Sequence, residues 1–139
     1  MNLSKELENL ALILRDFDPH KLTHDVITVG EAWADNDAAA SALEETKKSM
    51  LARLSLEYIA GGQSSGGVGE RPKAMPANQA EMKALSDPRY EMHLELMVAA
   101  RKESNRARVR YDLGKMRLEL MRSLQATMRN EMRMAGQTT

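Results

Sequence analysis

The feature that most constrains the fold is a stretch of nearly fifty residues, 87–135, with no proline after Pro88 and a single glycine, Gly114. A stretch of this length without a helix breaker predicts one α-helix of roughly 70 Å, at 1.5 Å per residue. Asp87 is suited to cap the first free N–H groups, and Pro88 has the fixed φ and the missing donor that suit a first helical position. We therefore predict a long helix over residues 88–135.

One face of this predicted helix carries apolar and small residues at heptad spacing. This face, the heptad seam, consists of Met97, Ala100, Ser104, Ala107, Tyr111, Gly114, Leu118, Met121, Gln125, Met128, Met132 and Ala135. Such spacing is typical of a helix that packs along another helix. Because the residues in the middle of the seam are small, we expect the backbone of the second helix to approach closely.

The low content of bulky side chains predicts self-association. The chain has one Trp, one Phe and three Tyr, while its eleven Met supply adaptable rather than sharply shaped packing. A seam with so little bulk is usually completed by other copies of the chain, so we predict a homo-oligomer. The charges favour antiparallel or head-to-tail pairing, because residues 1–60 carry a net charge of −5 and residues 87–139 a net charge of +4.

Three further helices and a linker complete the predicted architecture. Apolar periodicity predicts a short helix over about 4–16 and a second long helix over about 24–60. Glycine-rich composition predicts a flexible linker over 61–78, followed by a short helix over about 79–85. We predict an all-α fold in a single domain, namely a long antiparallel helical hairpin with a short N-terminal helix, completed by oligomerisation.

Two capping-box patterns give candidate helix starts. Thr28 and Glu31 mark a late start for the second helix, within a window that opens at Pro19, and Asn78 and Glu81 mark the start of the short helix.

The second predicted helix also carries apolar residues on one face. Together with members of the heptad seam, residues of this face are predicted to form the packing or oligomer seam. They are Trp33, Leu43, Met50, Leu54, Met97, Tyr111, Leu118, Met121, Met128 and Met132.

The final helix is rich in arginine outside its seam. Between residues 101 and 133 the chain has ten basic and four acidic side chains, and eight of the ten are Arg. A solvated face with local ion pairs is one interpretation, since a long helix needs a charged exterior. Binding to phosphates is the other, because the planar guanidinium fork is a better phosphate ligand than an ammonium group.

Several function classes are disfavoured by the residues that the chain lacks or has in small numbers. It has no Cys and three His, and its serines have no partner base, so we predict a protein that is not an enzyme and has neither a metal nor another cofactor. The longest apolar runs, Leu10–Leu14 and Leu96–Ala100, are far too short for a membrane span. We therefore expect no membrane partner and a cytoplasmic location, in the host if the protein is encoded by a phage.

The end of the second predicted helix carries a resemblance. It reads Lys47-Lys48-Ser49-Met50-Leu51-Ala52-Arg53-Leu54-Ser55-Leu56-Glu57-Tyr58-Ile59-Ala60-Gly61. With the helix–linker–helix plan, this segment resembles the basic helix end and glycine-rich break of small helical phage recombination-mediator proteins. The resemblance implies a ring-forming protein that loads a recombinase onto single-stranded DNA, with DNA contacts at Lys48 and Arg53. The chain departs from that pattern at Ser49 and Ser55, where the family often has lysine.

Two functions follow as hypotheses. The first is an oligomeric single-stranded-DNA-binding recombination mediator, with a recombinase or a single-strand-binding protein as partner. The second is a helical structural or adaptor protein, such as a phage scaffold, assembly factor or inhibitor, that acts through protein contacts only. For the first hypothesis, the predicted nucleic-acid-binding residues are Lys47, Lys48, Arg53, Arg101, Lys102, Arg106, Arg108 and Arg110.

Overall fold

The computed structural model describes residues 3–61 and 74–137, and these residues form four helices. They are α1 (Leu3–Leu14), α2 (Pro19–Gly61), α3 (Ala77–Leu85) and α4 (Pro88–Gln137), with no strand in the described ranges. The predicted all-α class is confirmed, whereas the hairpin as a whole and the oligomer stay predictions. Most of the predicted glycine-rich linker, residues 62–73, lies outside the described residues.

Both long helices begin at an Asp-Pro pair. The Asp87 carboxylate accepts the backbone N–H of Arg89 at 2.8 Å, which confirms the predicted cap of α4. In α2 the same signal decides the start, because Asp18 accepts the backbone N–H groups of His20 at 3.0 Å and Lys21 at 3.3 Å. The helix therefore begins at Pro19 rather than near residue 24.

Neither predicted capping box starts a helix. The hydroxyl of Thr28 lies within α2 and donates a hydrogen bond to the backbone carbonyl of His24 at 3.0 Å. Helix α3 begins at Ala77 after Pro76, with no side-chain hydrogen bond at the cap. The expected cap at Asn78 is therefore wrong, because the proline ahead of it already sets the start and Asn78 falls inside the helix.

The helices contribute to two compact units. The terminal unit comprises residues 3–34 and 105–137, and the central unit comprises residues 35–61 and 74–104 of the described chain. Helices α2 and α4 each supply a segment to both units, whereas α1 belongs to the terminal unit and α3 to the central one.

In the terminal unit, the segments of α2 and α4 contact each other in antiparallel order. Trp33 stacks on Tyr111, and Val26 lies so near Gly114 that a Cβ atom there would be 3.2 Å from a valine methyl group. Glycine in the seam therefore permits a close approach of the two helices, as the small residues predict. Helix α1 lies beside the last turns of α4, where both helices line an apolar groove formed by Ser4, Leu7, Glu8, Ala11, Met128, Met132 and Ala135.

In the central unit, the core is small and lies where α2, α3 and α4 meet. Leu54, Ala84 and Tyr90 are its buried members, one from each helix, and Met50, Leu51, Tyr58 and Leu94 pack against them. Ala40 and Ser104 are almost completely inaccessible to solvent, so the helices also carry small residues at contact positions here. His93 adds a hydrogen bond between a ring nitrogen and the backbone carbonyl of Leu43, at 2.8 Å.

The predicted seam residues occupy mostly sheltered positions in their units. Two of them, Leu54 and Leu118, are buried, and the half-buried ones are Trp33, Leu43, Met50, Met97, Tyr111, Met121 and Met128. Met132 is 56% exposed despite its place in the heptad pattern. In the terminal unit, Tyr111 and Gly114 of the seam face the chain's own α2, so these positions serve packing within the chain.

Candidate nucleic-acid interface

The two aromatic residues of the predicted seam form a stacked pair in the terminal unit. The indole of Trp33 on α2 and the ring of Tyr111 on α4 have centroids 5.6 Å apart and planes inclined by 27°. Both residues are half-buried, so part of the pair faces solvent. Gly30 permits the arrangement, because a Cβ atom at that position would lie 2.9 Å from Cε2 of Tyr111.

Two cations lie over this pair. The guanidinium carbon of Arg108 is 5.9 Å from the centroid of the Trp33 ring, and Nζ of Lys115 is 4.6 Å from the centroid of the Tyr111 ring. Both distances allow attraction to the negative face of a ring. Arg108 and Lys115 stand three residues before and four residues after Tyr111, the spacings that bring side chains together on a helix. None of the predictions above includes this cluster, although these spacings are a signal for it.

One carboxylate lies near both cations. Asp112 is 3.9 Å from Nε of Arg108 and 3.6 Å from Nζ of Lys115. Exposed pairs at such distances contribute little to stability. Arg108 and Lys115 are therefore only loosely paired with Asp112.

A groove of about 380 Å³ opens beside the stacked rings. Its size is within the range of sites that hold small organic groups. Apolar side chains and a glycine form most of its wall, with one carboxylate among them. The lining residues are Val26, Ile27, Gly30, Glu31, Trp33, Ala34 and Tyr111.

The predicted nucleic-acid-binding residues are divided between the two units. Lys47, Lys48, Arg53, Arg101 and Lys102 belong to the central unit, and Arg106, Arg108 and Arg110 belong to the terminal unit. Lys47 and Arg101 are half-buried, whereas the other six are exposed. The guanidinium group of Arg53 contacts the sulfur of Met50 at 3.2 Å.

Arg101 is engaged inside the central unit. It donates to Oδ1 of Asp37 at 2.7 Å and to the two carboxylate oxygens of Glu44 at 2.8 and 2.9 Å. The hydrogen bonds from Arg101 lower the pKa of Glu44 below its usual range, and they raise the pKa of Arg101. Asp37 also accepts the hydroxyl of Ser104 at 3.3 Å. The side chain of Arg101 is only 33% exposed, so its charge serves to join α2 to α4.

The same contacts place Arg101 near the basic end of α2. Glu44 lies three and four residues before Lys47 and Lys48, which is one helical turn, so Arg101 is close to the start of that basic segment. Its donors are committed to Asp37 and Glu44.

A second polar network lies at the start of α4. The hydroxyl of Tyr58 donates to Oδ2 of Asp87 at 2.6 Å, and Arg89 donates to both oxygens of Asp87 at 3.1 and 3.2 Å. Arg89 also pairs with Glu57 at 2.7 Å. The hydrogen bonds from Arg89, and then that from Tyr58, hold the pKa of Asp87 far below its usual range, and the bond to Asp87 raises the pKa of Tyr58. Asp87 thus caps α4 and also joins it to α2 through the hydrogen bond from Tyr58. The Asp-Pro pair in the sequence predicts the cap but not this second contact.

Residues 3–61 and 74–137 contain no group of three or more His, Cys, Asp or Glu side chains placed to hold a metal ion. Within the same ranges, no helix combines the length and the apolar character that crossing a bilayer requires.

Comparison with known proteins gives no relative on which to base a family. No family model matches the chain, and no curated protein or solved structure matches it either.

Proposed function

We propose that this chain is a non-enzymatic protein that binds single-stranded nucleic acid, with the Trp33–Tyr111 pair of the terminal unit as the base-contacting site. The observation that carries the proposal is the stacked pair with a cation over each ring. Each ring stacks on the other and has a cation over it, so a base would contact the solvent-facing parts of the pair, while the cations attract the phosphates that link the bases. The arrangement therefore fits a single strand, whose bases are unpaired and accessible, better than a closed duplex.

The phosphate contacts in this proposal come from exposed basic residues. Arg106, Arg108 and Arg110 lie in the same unit as the aromatic pair. Arg101 is left out, because its donors are committed to Asp37 and Glu44. In the central unit, Lys102 remains a further contact, and Lys47, Lys48 and Arg53 remain the contacts suggested by the resemblance to recombination mediators.

That resemblance also supports a cellular role in this proposal. Recombinase loading needs a protein that holds single-stranded DNA without reading its sequence, and stacking together with phosphate contacts provides such binding. A recombinase or a single-strand-binding protein is the corresponding partner. The resemblance is limited to residues 47–61 and the helical plan, so DNA binding is the part of the proposal to test first.

The test uses the single Trp as a reporter. Labelled oligo(dT) is titrated with the protein at several salt concentrations, while the fluorescence of Trp33 is recorded. We expect binding to quench Trp33, and the logarithm of the affinity to fall with the logarithm of the salt concentration with a slope of about −2 to −5, as about three to seven phosphate contacts require. The same titration with a duplex should show weaker binding.

Matched variants locate the site. Arg108→Ala and Lys48→Ala/Arg53→Ala test the terminal and central contacts respectively, and Arg129→Ala controls for the loss of one exposed arginine elsewhere on α4. We expect Arg108→Ala to weaken binding and reduce quenching, whereas Arg129→Ala should resemble the parent. Helicity from circular dichroism confirms that each variant is folded. Absence of binding by the parent at low salt would refute the proposal, as would equal affinities of Arg108→Ala and Arg129→Ala.

The second candidate is the structural or adaptor protein, and one observation favours it. Four of the exposed apolar residues of α4 in the terminal unit form a row, which we name the outer stripe: Val109, Leu113, Met116 and Leu120. An exposed apolar row is typical of a protein contact. If no nucleic acid binds, the structural or adaptor role is the remaining candidate, and the outer stripe is its contact surface.

A further inference from the structure

The outer stripe has the spacing of a helix-packing seam. Its members follow one another at intervals of four, three and four residues, as the a and d positions of a heptad do. Each of the four is 57 to 64% exposed. Single exposed apolar residues are ordinary on a protein surface, but a row of four on one helix face is not.

The stripe is distinct from the heptad seam of the same helix. Ala107 and Leu118 of the seam are buried, and Tyr111 and Gly114 face α2 in the terminal unit. In the heptad that places the seam at a and d, the outer stripe falls at c and f, on the opposite side of the helix. Packing of the terminal unit therefore leaves the outer stripe uncovered.

Charged residues flank the stripe asymmetrically. Counted from the stripe itself, with Leu113 and Leu120 at a and with Val109 and Met116 at d, the e positions are basic and the g positions are acidic. The basic residues are Arg110 and Arg117, and the acidic residues are Asp112 and Glu119. All four are exposed.

This asymmetry favours a second copy of the chain as the occupant, packed in one direction. In a parallel pair of helices a g position meets the e position five residues later on the other helix, which sets Asp112 against Arg117 of the partner subunit. In an antiparallel pair g meets g and e meets e, so carboxylates would face carboxylates and guanidinium groups would face guanidinium groups. The flanks are therefore complementary to a second copy of the same surface only in the parallel arrangement.

We propose that two copies of this chain associate through the outer stripe, with the two α4 helices parallel and in register. The apolar side chains Val109, Leu113, Met116 and Leu120 form the centre of the contact, and two symmetric ion pairs between Asp112 and the partner's Arg117 border it. A two-fold axis parallel to α4 relates the copies, so the interface uses the same patch twice. The proposal does not require nucleic-acid binding, although Asp112 also lies beside Arg108 and Lys115 of the candidate interface.

The mass of the protein tests the association. Sedimentation velocity over a concentration series should show the parent passing from monomer to twice the monomer mass. Leu113→Glu/Leu120→Glu places charges at the centre of the contact and should raise the dissociation constant at least about tenfold. Met92→Glu/Val98→Glu is the matched control, because these two residues are 62% and 63% exposed on the same helix outside the stripe. The control should associate as the parent does.

A charge exchange tests the direction. Asp112→Lys should weaken a parallel dimer, because it faces the partner's Arg117, and adding Arg117→Glu to the same chain should restore it. In an antiparallel dimer Asp112→Lys would instead strengthen association. Since the parent has no Cys, Met116→Cys adds an independent readout, as oxidation should link position 116 of the two copies in a parallel pair.

Three results would overturn the proposal. The first is a monomeric parent at every concentration, with Leu113→Glu/Leu120→Glu equally monomeric and helical. The second is association of that variant with the affinity of the parent, which would place the contact elsewhere. The third is stronger association of Asp112→Lys than of the parent, which would exclude the parallel arrangement.

Discussion

Replacement of Gly30 by alanine probes the aromatic pair directly. Two opposing effects on stability are expected, a gain in helix propensity and a steric clash with Tyr111. Alanine in a helix is about 1 kcal/mol more favourable than glycine. The new Cβ atom would lie 2.9 Å from Cε2 and 3.1 Å from Cδ2 of Tyr111, distances at which the ring has to move. Loss of stacking on Trp33 and a strained Tyr111 side chain together cost about 1–3 kcal/mol. We therefore expect Gly30→Ala to lower the free energy of unfolding by about 1 kcal/mol net.

Gly114→Ala is the matched control for this prediction. It is also a glycine of the terminal unit within a long helix, but its Cβ atom would meet only a methyl group of Val26, at 3.2 Å. A shift of a few tenths of an ångström relieves that contact, so most of the helix-propensity gain of up to about 1 kcal/mol should remain.

The assay combines stability with a local signal. Thermal unfolding followed by circular dichroism should place the melting temperature of Gly30→Ala about 4 °C below that of the parent. The fluorescence and near-ultraviolet circular dichroism of Trp33 should change in Gly30→Ala and stay as in the parent in Gly114→Ala. If Gly30→Ala is as stable as Gly114→Ala and its Trp33 signals match those of the parent, the reasoning about the stacked pair is refuted.

Two further predictions concern the central unit. In urea titrations, Leu54→Ala should lower the free energy of unfolding by about 2–5 kcal/mol, because Leu54 is only 1% exposed in the core. Leu56→Ala is the control: Leu56 is 65% exposed, so this change should alter the free energy of unfolding by less than about 0.5 kcal/mol. For pH, the folded-state pKa of Asp87 lies below its ordinary value of 3.8, so its stabilising effect is present above that value and is lost as pH falls toward the folded pKa. The melting temperature of the parent should therefore decline below about pH 4 more steeply than that of Asp87→Asn, and parallel declines would contradict this assignment.

The parts of the fold that the sequence predicts correctly depend on local signals. The Asp-Pro pair at Asp87 caps α4 as predicted, and the absence of breakers lets that helix continue through Gly114. The same local chemistry at Asp18 starts α2 at Pro19, where the predicted window opens, whereas the capping-box pattern at Thr28 lies inside the helix. Where two local signals compete, the proline decides, because it both starts one helix and excludes the preceding residue from it.

The contents of the candidate site depend instead on register between distant segments. The partners of Arg101 are 57 and 64 residues away in the chain, so no local pattern identifies them. A basic residue on a helix looks the same in the sequence whether it faces solvent or a carboxylate. Asp37 and Glu44 are seven residues apart and lie on the same face of α2. Two carboxylates at this spacing can both accept hydrogen bonds from one guanidinium group on the facing helix.

The basic residues of the two units differ in how closely they are paired with carboxylates. In the central unit, Arg101 faces both Asp37 and Glu44, and Arg89 has two carboxylate partners of its own. In the terminal unit, Arg108 and Lys115 lie at longer distances from the carboxylate of Asp112, and Glu31 lines the groove beside the rings. The cations that hold α4 to α2 thus have the closer ion pairs, while Arg108 and Lys115 are held more loosely and can contact a phosphate. A polyanion with accessible bases, rather than a simple anion, is the ligand that makes use of both the cations and the rings.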